Sequence, residues 1–174
     1  MTKNRNNPTA PFAPDVAPAH RVPPREALPP DAPPRSTQAA REVRRNSALR
    51  QARTCYQHLA GIAGVDLLEQ LLLRGWLEPE ESQDSRTSYR PTTLGQQELH
   101  HRGIETIPAT NSRRRFAYGC MDWTERRPHL GGALGALLMD ALNAEGAVRR
   151  QQGTRVVLVG SSIADWLDQS ARPG

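Results

Sequence analysis

The sequence predicts an α+β fold, mainly helical with small β-hairpins, in which two similar halves share one core behind a proline-rich leading segment. Three observations predict it. A leucine-rich string, "HLAGIAGVDLLEQLLLRGWL" from His58, returns as "HLGGALGALLMDALNAEGAV" from His129. After each copy the helical apolar period gives way to short apolar stretches around a polar turn, the pattern of a hairpin. Ten of the 15 prolines fall within residues 1–35, where little is apolar enough to bury.

These features divide the chain into a disordered or polyproline-like tail (1–35), a helical linker with the first half (36–107), and the second half (108–174). Order begins at Ser36, a suitable helix N-cap. In "TQAAREVRRNSALRQARTCYQHLAG", Val43, Leu49, Ala52, Tyr56 and Leu59 recur at roughly helical spacing, which predicts a helix. Gly61 and Gly64 break or bend it. A second helix follows, with Leu67, Leu68, Leu71 and Leu72 on one face and Gly75 as its C-terminal cap. "WLEPEESQDSRTSYRPT" predicts a hairpin with a long loop. "TTLGQQELHHRG" predicts a short helix ending near Gly103, with "GIETIPATNSRRR" as a connector. Pro128 stands where a first-turn proline would open the long helix "HLGGALGALLMDALNAEG". "AVRRQQGTRVVLV" is a tighter hairpin turning at Gly153. "SSIADWLDQ" closes the chain as a helix capped by Ser161 or Ser162.

A shift of 71 positions lays His58, Leu59, Gly61, Gly64, Leu67, Leu71 and Gly75 on His129, Leu130, Gly132, Gly135, Leu138, Leu142 and Gly146. A later shift of 65 lays Gly95 on Gly160. Each half thus reads as helix, glycine, strand, loop, strand, helix. That is the end of a winged-helix unit, the hairpin being the wing. Each half alone is marginal in size, so the two bury their leucine faces against each other as one pseudo-twofold domain.

Aromatic residues are 5% of the chain, so the core is aliphatic. No apolar run approaches the ~20 residues of a membrane span, and the start lacks a signal-peptide core. Two cysteines do not make a disulfide scaffold, which predicts a cytoplasmic protein with reduced thiols. The net charge of +5 is uneven: ten basic and four acidic residues in 1–54, then 13 and 14. Only Lys3 is lysine among the 23 basic residues. Arginine suits bidentate phosphate contacts, and a GC-rich genome encodes the same bias.

"TCYQHLAG" (Thr54–Gly61) with "CMDWTERRPHLGGALG" (Cys120–Gly135), and "YRPTTLG" between them, resemble the C-terminal half of a subset of ArsR-type bacterial transcription regulators, over about residues 46–170. The resemblance implies a cytoplasmic winged-helix regulator, a homodimer or a heterodimer with a full-length regulator, that binds DNA. In those regulators this half follows an N-terminal DNA-binding winged helix. Here the proline-rich segment takes that place, so the expectation is a natural truncate, a gene remnant or a stand-alone relative, and no DNA-reading residue is carried over.

Four residues suggest a metal or thiol site. Cys55 and His58 have the i, i+3 spacing that puts two ligands on one helix face. Cys120 and His129, with Asp122 near them, would complete a tetrahedron, although their own spacing is not ligand-like. The ArsR class includes metal and thiol sensors, which makes zinc or another thiophilic metal the cofactor to consider. A Cys55–Cys120 disulfide and plain packing stand beside it as alternatives.

For DNA, Arg113, Arg114 and Arg115 lie beside Phe116 and Tyr118, and Arg149, Arg150 and Arg155 flank the second turn. Both sets would contact phosphate. The alternative is a framework in which Asp122 and Glu125 pair with Arg126 and Arg127 while Trp123 anchors the connector. His100 and His101 read as surface residues. Neither a nucleophile elbow, a Walker loop nor a dinucleotide fingerprint is present, so no enzyme is predicted. The functional expectation is a regulator contacting DNA through arginines; the alternative is an effector-sensing or dimerisation module without DNA contact.

Overall fold

The computed structural model describes residues 36–81, 86–106 and 115–169. The tail over 1–35, and Arg113 and Arg114, lie outside these residues. Helix α1 (Thr37–Arg45) starts at the expected cap: the Ser36 side chain accepts a hydrogen bond from the Ala39 amide at 3.1 Å. Arg44 and Arg45 sit in its last turn, where cations suit the negative helix end.

The helix does not run on to Leu59. Asn46 takes a left-handed conformation, φ 45°, and ends it. After the single turn α2 (Ala48–Gln51), strands β1 (Arg53–Cys55) and β2 (His58–Ala60) form an antiparallel hairpin around Tyr56 and Gln57. The spacing of Ala52, Tyr56 and Leu59 misleads because it is not a buried stripe: Ala52 and Leu59 are buried, while Tyr56 is 93% exposed at the turn, with φ 54°. Arg53, His58 and Ala60 are buried as well, so the segment is set by tertiary burial and not by an amphipathic face.

From here the expected elements return. Helix α3 (Ile62–Leu73) buries Leu67, Leu68 and Leu71 and stops at Gly75, φ 68°. Strands β3 (Leu77–Glu80) and β4 (Ser88–Pro91) pair across their loop, and α4 (Thr93–His101) starts at the Thr92 cap. Strand β5 (Tyr118–Met121) pairs with β6 (Pro128–Gly131), and α5 (Gly132–Ala144) follows. Pro128 therefore opens a strand rather than a helix, a position where its missing amide is tolerated. Gly131 is the last residue of β6 and caps α5, which Gly132 opens and which contains Gly135. Strands β7 (Val148–Arg150) and β8 (Val157–Val159) and helix α6 (Ile163–Asp168), capped by Ser162, complete the chain.

The repeat is longer than its leucine strings. Each half is hairpin, helix, hairpin, helix, the first hairpin being β1–β2 in one and β5–β6 in the other. The halves exchange their second hairpins. In the first direction the Thr54 amide bonds to the Arg155 carbonyl at 2.8 Å and the Val157 amide to Ala52 at 3.0 Å. In the other, Gly119 bonds to Thr87 at 2.8 Å and Tyr89 to Ala117 at 3.1 Å. These reciprocal bonds join β3–β4 to β5–β6 as a four-stranded sheet and tie β7–β8 to β1. They also correct the later alignment: Thr92 bonds to Trp76 as Gly160 bonds to Ala147, so Thr92, not Gly95, is the counterpart of Gly160.

The leucine faces do meet in one core, which holds Leu67, Leu68 and Leu71 with Leu134, Leu138 and Leu142. The contact is crossed: α3 lies on β6 and α5 on β2. Glycine makes this approach close. A Cβ on Gly64 would stand 2.4 Å from the Leu59 carbonyl oxygen and 3.4 Å from the His129 Cβ; one on Gly135 would stand 2.4 Å from the Leu130 oxygen and 3.1 Å from the His58 Cβ. Gly64→Ala and Gly135→Ala are each expected to destabilise the fold by about 1–3 kcal/mol, read as a lower urea midpoint. An unchanged midpoint would contradict the tight packing of each helix on the strand that precedes it.

Candidate metal centre

Each of the first hairpins sets a cysteine directly opposite a histidine, Cys55 across from His58 and Cys120 across from His129. Opposite residues of an antiparallel pair share a face with Cβ atoms about 4.5–5.5 Å apart, so a thiol and an imidazole reach a common point. Cys55 and His58 are thus cross-strand partners, not successive positions on a helix. The longer Cys120–His129 spacing gives the same geometry. Its turn is longer by six residues, the change in register from 65 to 71.

The crossed packing brings the two pairs together. One ligand atom from each of Cys55, His58, Cys120 and His129 lies within 4.8 Å of the others. The Nε2 atoms of His58 and His129 are 3.1 Å apart, with ring centroids at 5.0 Å. Both histidines are buried and both cysteines half-buried, while their neighbours Tyr56 and Met121 are exposed. The centre has a deep imidazole end and a shallow thiol end.

The donors fit a thiophilic cation. Bond lengths of about 2.0–2.3 Å in a tetrahedral zinc site place the ligand atoms ~3.3–3.8 Å from one another, which small side-chain rotations supply here. Two thiols and two imidazoles are a zinc-type set. Asp122 is not among the donors. It stands behind His129, its Oδ2 3.2 Å from the ring Nδ1, a place from which a carboxylate would orient the imidazole and leave Nε2 to hold a cation.

The longer turn holds that carboxylate in place. Asp122 Oδ2 accepts a hydrogen bond from the Gly61 amide at 2.8 Å. Its Oδ1 accepts from the Arg53 guanidinium, from the Thr124 amide at 2.9 Å and from the Thr124 hydroxyl at 2.8 Å. Arg53 is fully buried and lies 4.5 Å from the Trp123 ring centroid. Arg50 grips Glu125 through two bonds of 2.9 and 3.0 Å, and Arg127 pairs with Glu69. The polar cluster therefore includes a framework in which Asp122 and Glu125 take Arg53 and Arg50 of the first half, and Arg127 reaches Glu69 there. Arg53 carries no sequence signal that separates it from the other arginines.

Burial works against the charge on Asp122, but His129, Arg53 and the Gly61 amide outweigh it and hold the carboxyl well below the usual range. Burial likewise opposes a charged His129, and Asp122 and Cys55 raise it nonetheless. The Cys120 thiol, then His129 and His58, lower Cys55 far below an ordinary thiol; Cys120 is pushed up by Cys55 and by burial. The direction favours the thiolate, the form that binds metal, at Cys55 over Cys120.

Of the arginines expected to contact DNA, Arg115, Arg149, Arg150 and Arg155 lie among the described residues. Arg149 is exposed on β7. Arg150 pairs with Asp140 at 2.9 Å, and the Arg155 guanidinium bonds to the Thr54 carbonyl at 3.1 and 2.9 Å. Arg115 bonds to the Ser88 hydroxyl at 2.9 Å and lies over Tyr118. His100 and His101 are exposed, as expected. Among the described residues, no helix is long and apolar enough to cross a membrane.

Asp122→Asn leaves Arg53 buried without its counter-charge, an expected loss of about 3–5 kcal/mol. The carboxyl is depressed in the folded state, so its contribution is complete above its unfolded value of 3.8 and drains away as the pH falls below that toward the folded value. Chelator-treated wild-type protein should therefore lose stability through that acid window in urea titrations. Asp122→Asn should lack this part of the pH dependence; parallel profiles would contradict the assignment.

Over 132 residues, 75% of its length, the chain is 36% identical to a Bacillus subtilis (strain 168) protein described as the uncharacterized HTH-type transcriptional regulator YdfF. The match covers 56% of that protein, so the chain spans little more than half of its relative's length. No protein-family profile matches the chain, and no solved structure matches it. Over those 132 residues this chain is similar to part of a helix-turn-helix-type transcription regulator.

Proposed function

We propose that the chain is the regulatory part of an ArsR-type transcription regulator, and that Cys55, His58, Cys120 and His129 bind one thiophilic divalent cation, zinc being the best match. The observation that carries this reading is the convergence of two thiols and two imidazoles within 4.8 Å. The similarity to a transcription regulator supports the biological role. Each half supplies one cysteine and one histidine, so a bound cation clasps the two halves together. Binding would displace the remaining thiol proton and any proton on the ligating nitrogens. At a free metal concentration of 100 times Kd, the clasp adds about 2.7 kcal/mol of stability.

In this reading the half-repeats are winged-helix-like units and β3–β4 and β7–β8 are their wings. The functional assembly is a homodimer or a pair with a full-length regulator, placed in the cytoplasm. A second reading, direct DNA contact, is favoured by the exposed Arg149 and by Arg150, whose solvent-exposed ion pair is weak enough to yield to phosphate.

Protein purified under reducing conditions and equilibrated with zinc should hold one equivalent per chain, and cobalt should give thiolate charge-transfer absorption. Cys55→Ser, Cys120→Ser and His58→Ala should each weaken binding by more than the ~10–100-fold expected for losing an outer partner such as Asp122. Zinc uptake no greater than that of a variant lacking both cysteines would end the metal reading. For DNA, gel shifts at rising salt should show steep weakening, and Arg149→Ala should reduce the salt slope by about 1. No shift at low ionic strength would end that reading.

A further inference from the structure

We infer that the centre is a peroxide-sensitive switch: a hydroperoxide oxidises Cys55 and Cys120 to a disulfide and so releases the cation. This inference rests on the metal reading above and adds its regulation. Three observations carry it. The donors are graded by depth, with His58 and His129 only 2% and 1% exposed and both cysteines half-buried at the rim. The turn residue beside Cys55, Tyr56, is 93% exposed, and Met121 beside Cys120 is 52% exposed, so a small oxidant approaches from the sulfur side. The two sulfurs also lie within 4.8 Å of each other. Since the chain has only these two cysteines, an intramolecular disulfide has a single pairing.

The chemistry balances with hydrogen peroxide as the named oxidant. One cysteinate sulfur attacks a peroxide oxygen; the O–O bond breaks, leaving a sulfenic acid, and the departing hydroxide takes a proton to become water. The second cysteinate attacks the sulfenic sulfur; the S–S bond forms, the S–O bond breaks, and a second water leaves after protonation. Two electrons pass from the two sulfurs to peroxide, and two protons are taken from solvent. Both anionic ligands are consumed, so the cation departs as a free dication. The two imidazoles that remain are neutral donors and cannot hold it alone.

The wiring around the sulfurs gives this event a route outward. Thr54, next to Cys55, is bonded to Arg155, and Gly119, next to Cys120, is bonded to Thr87. Arg155 precedes β8 and Thr87 precedes β4, so each cysteine lies one residue from the opposite half's second hairpin.

The test uses the full chain loaded with zinc and treated with hydrogen peroxide. Zinc release is followed with a chromogenic chelator, thiols are titrated, and peptides are mapped without reduction. The expected result is one zinc released as two thiols disappear, with a Cys55–Cys120 cross-linked peptide, all reversed by dithiothreitol and fresh zinc. Zinc retained at peroxide levels that oxidise a free thiol would overturn the inference and leave the metal reading standing. So would zinc lost with the cysteines separately over-oxidised or cross-linked between chains. Failure of the reduced protein to take up zinc, measured before peroxide is added, would overturn both.

Discussion

The structure depends on one constraint: two buried imidazoles meet at the junction of the halves and must be satisfied there. A polar ring without a partner is costly inside a protein. His58 and His129 answer that cost by facing each other at 3.1 Å, with the two thiols completing the ring of polar groups. The strands that carry the rings lie against the opposite helices, and Gly135 keeps one of these contacts close, since a Cβ there would stand 3.1 Å from the His58 Cβ. Gly135 is therefore part of the site, although it has no functional atom.

The longer second turn breaks the symmetry of this arrangement. It lays Asp122 behind His129 and reaches across to the first half, where Arg50, Arg53 and Glu69 receive it. A buried Arg–Asp pair is weak evidence for stability in itself. What it provides here is position: the carboxylate is fixed from several sides and can in turn fix the histidine. The internal repeat thus yields two donor pairs of the same kind with different surroundings, which lower the Cys55 thiol and raise the His129 ring from their ordinary values.

The exchange of second hairpins has a mechanical consequence. The strands bearing the cysteines are hydrogen-bonded to chain segments of the other half. In the proposed switch, a change in bonding at the sulfurs would reach the β7–β8 and β3–β4 hairpins through these backbone bonds. The arginines on β7 ride on one of these hairpins.

The sequence by itself determined the repeat, the two leucine helices, their glycine stops, both second hairpins and most of the caps, because these follow from local periodicity and from residues whose backbone or side-chain chemistry acts within a few positions. It also marked the four donors as a group. It could not reveal the hairpins that hold them. Residues 53–60 are largely buried within a short span and carry no clean alternation, so their spacing imitates a helix. Only the tertiary structure decided that a Cys-x-x-His step and a nine-residue step have the same geometry, since equivalence across a turn depends on strand register and not on sequence distance. Likewise, only the crossed packing of the halves selected Arg53 from many arginines and placed Asp122 behind a ligand rather than among them, because a buried charge is chosen by the partner that meets it.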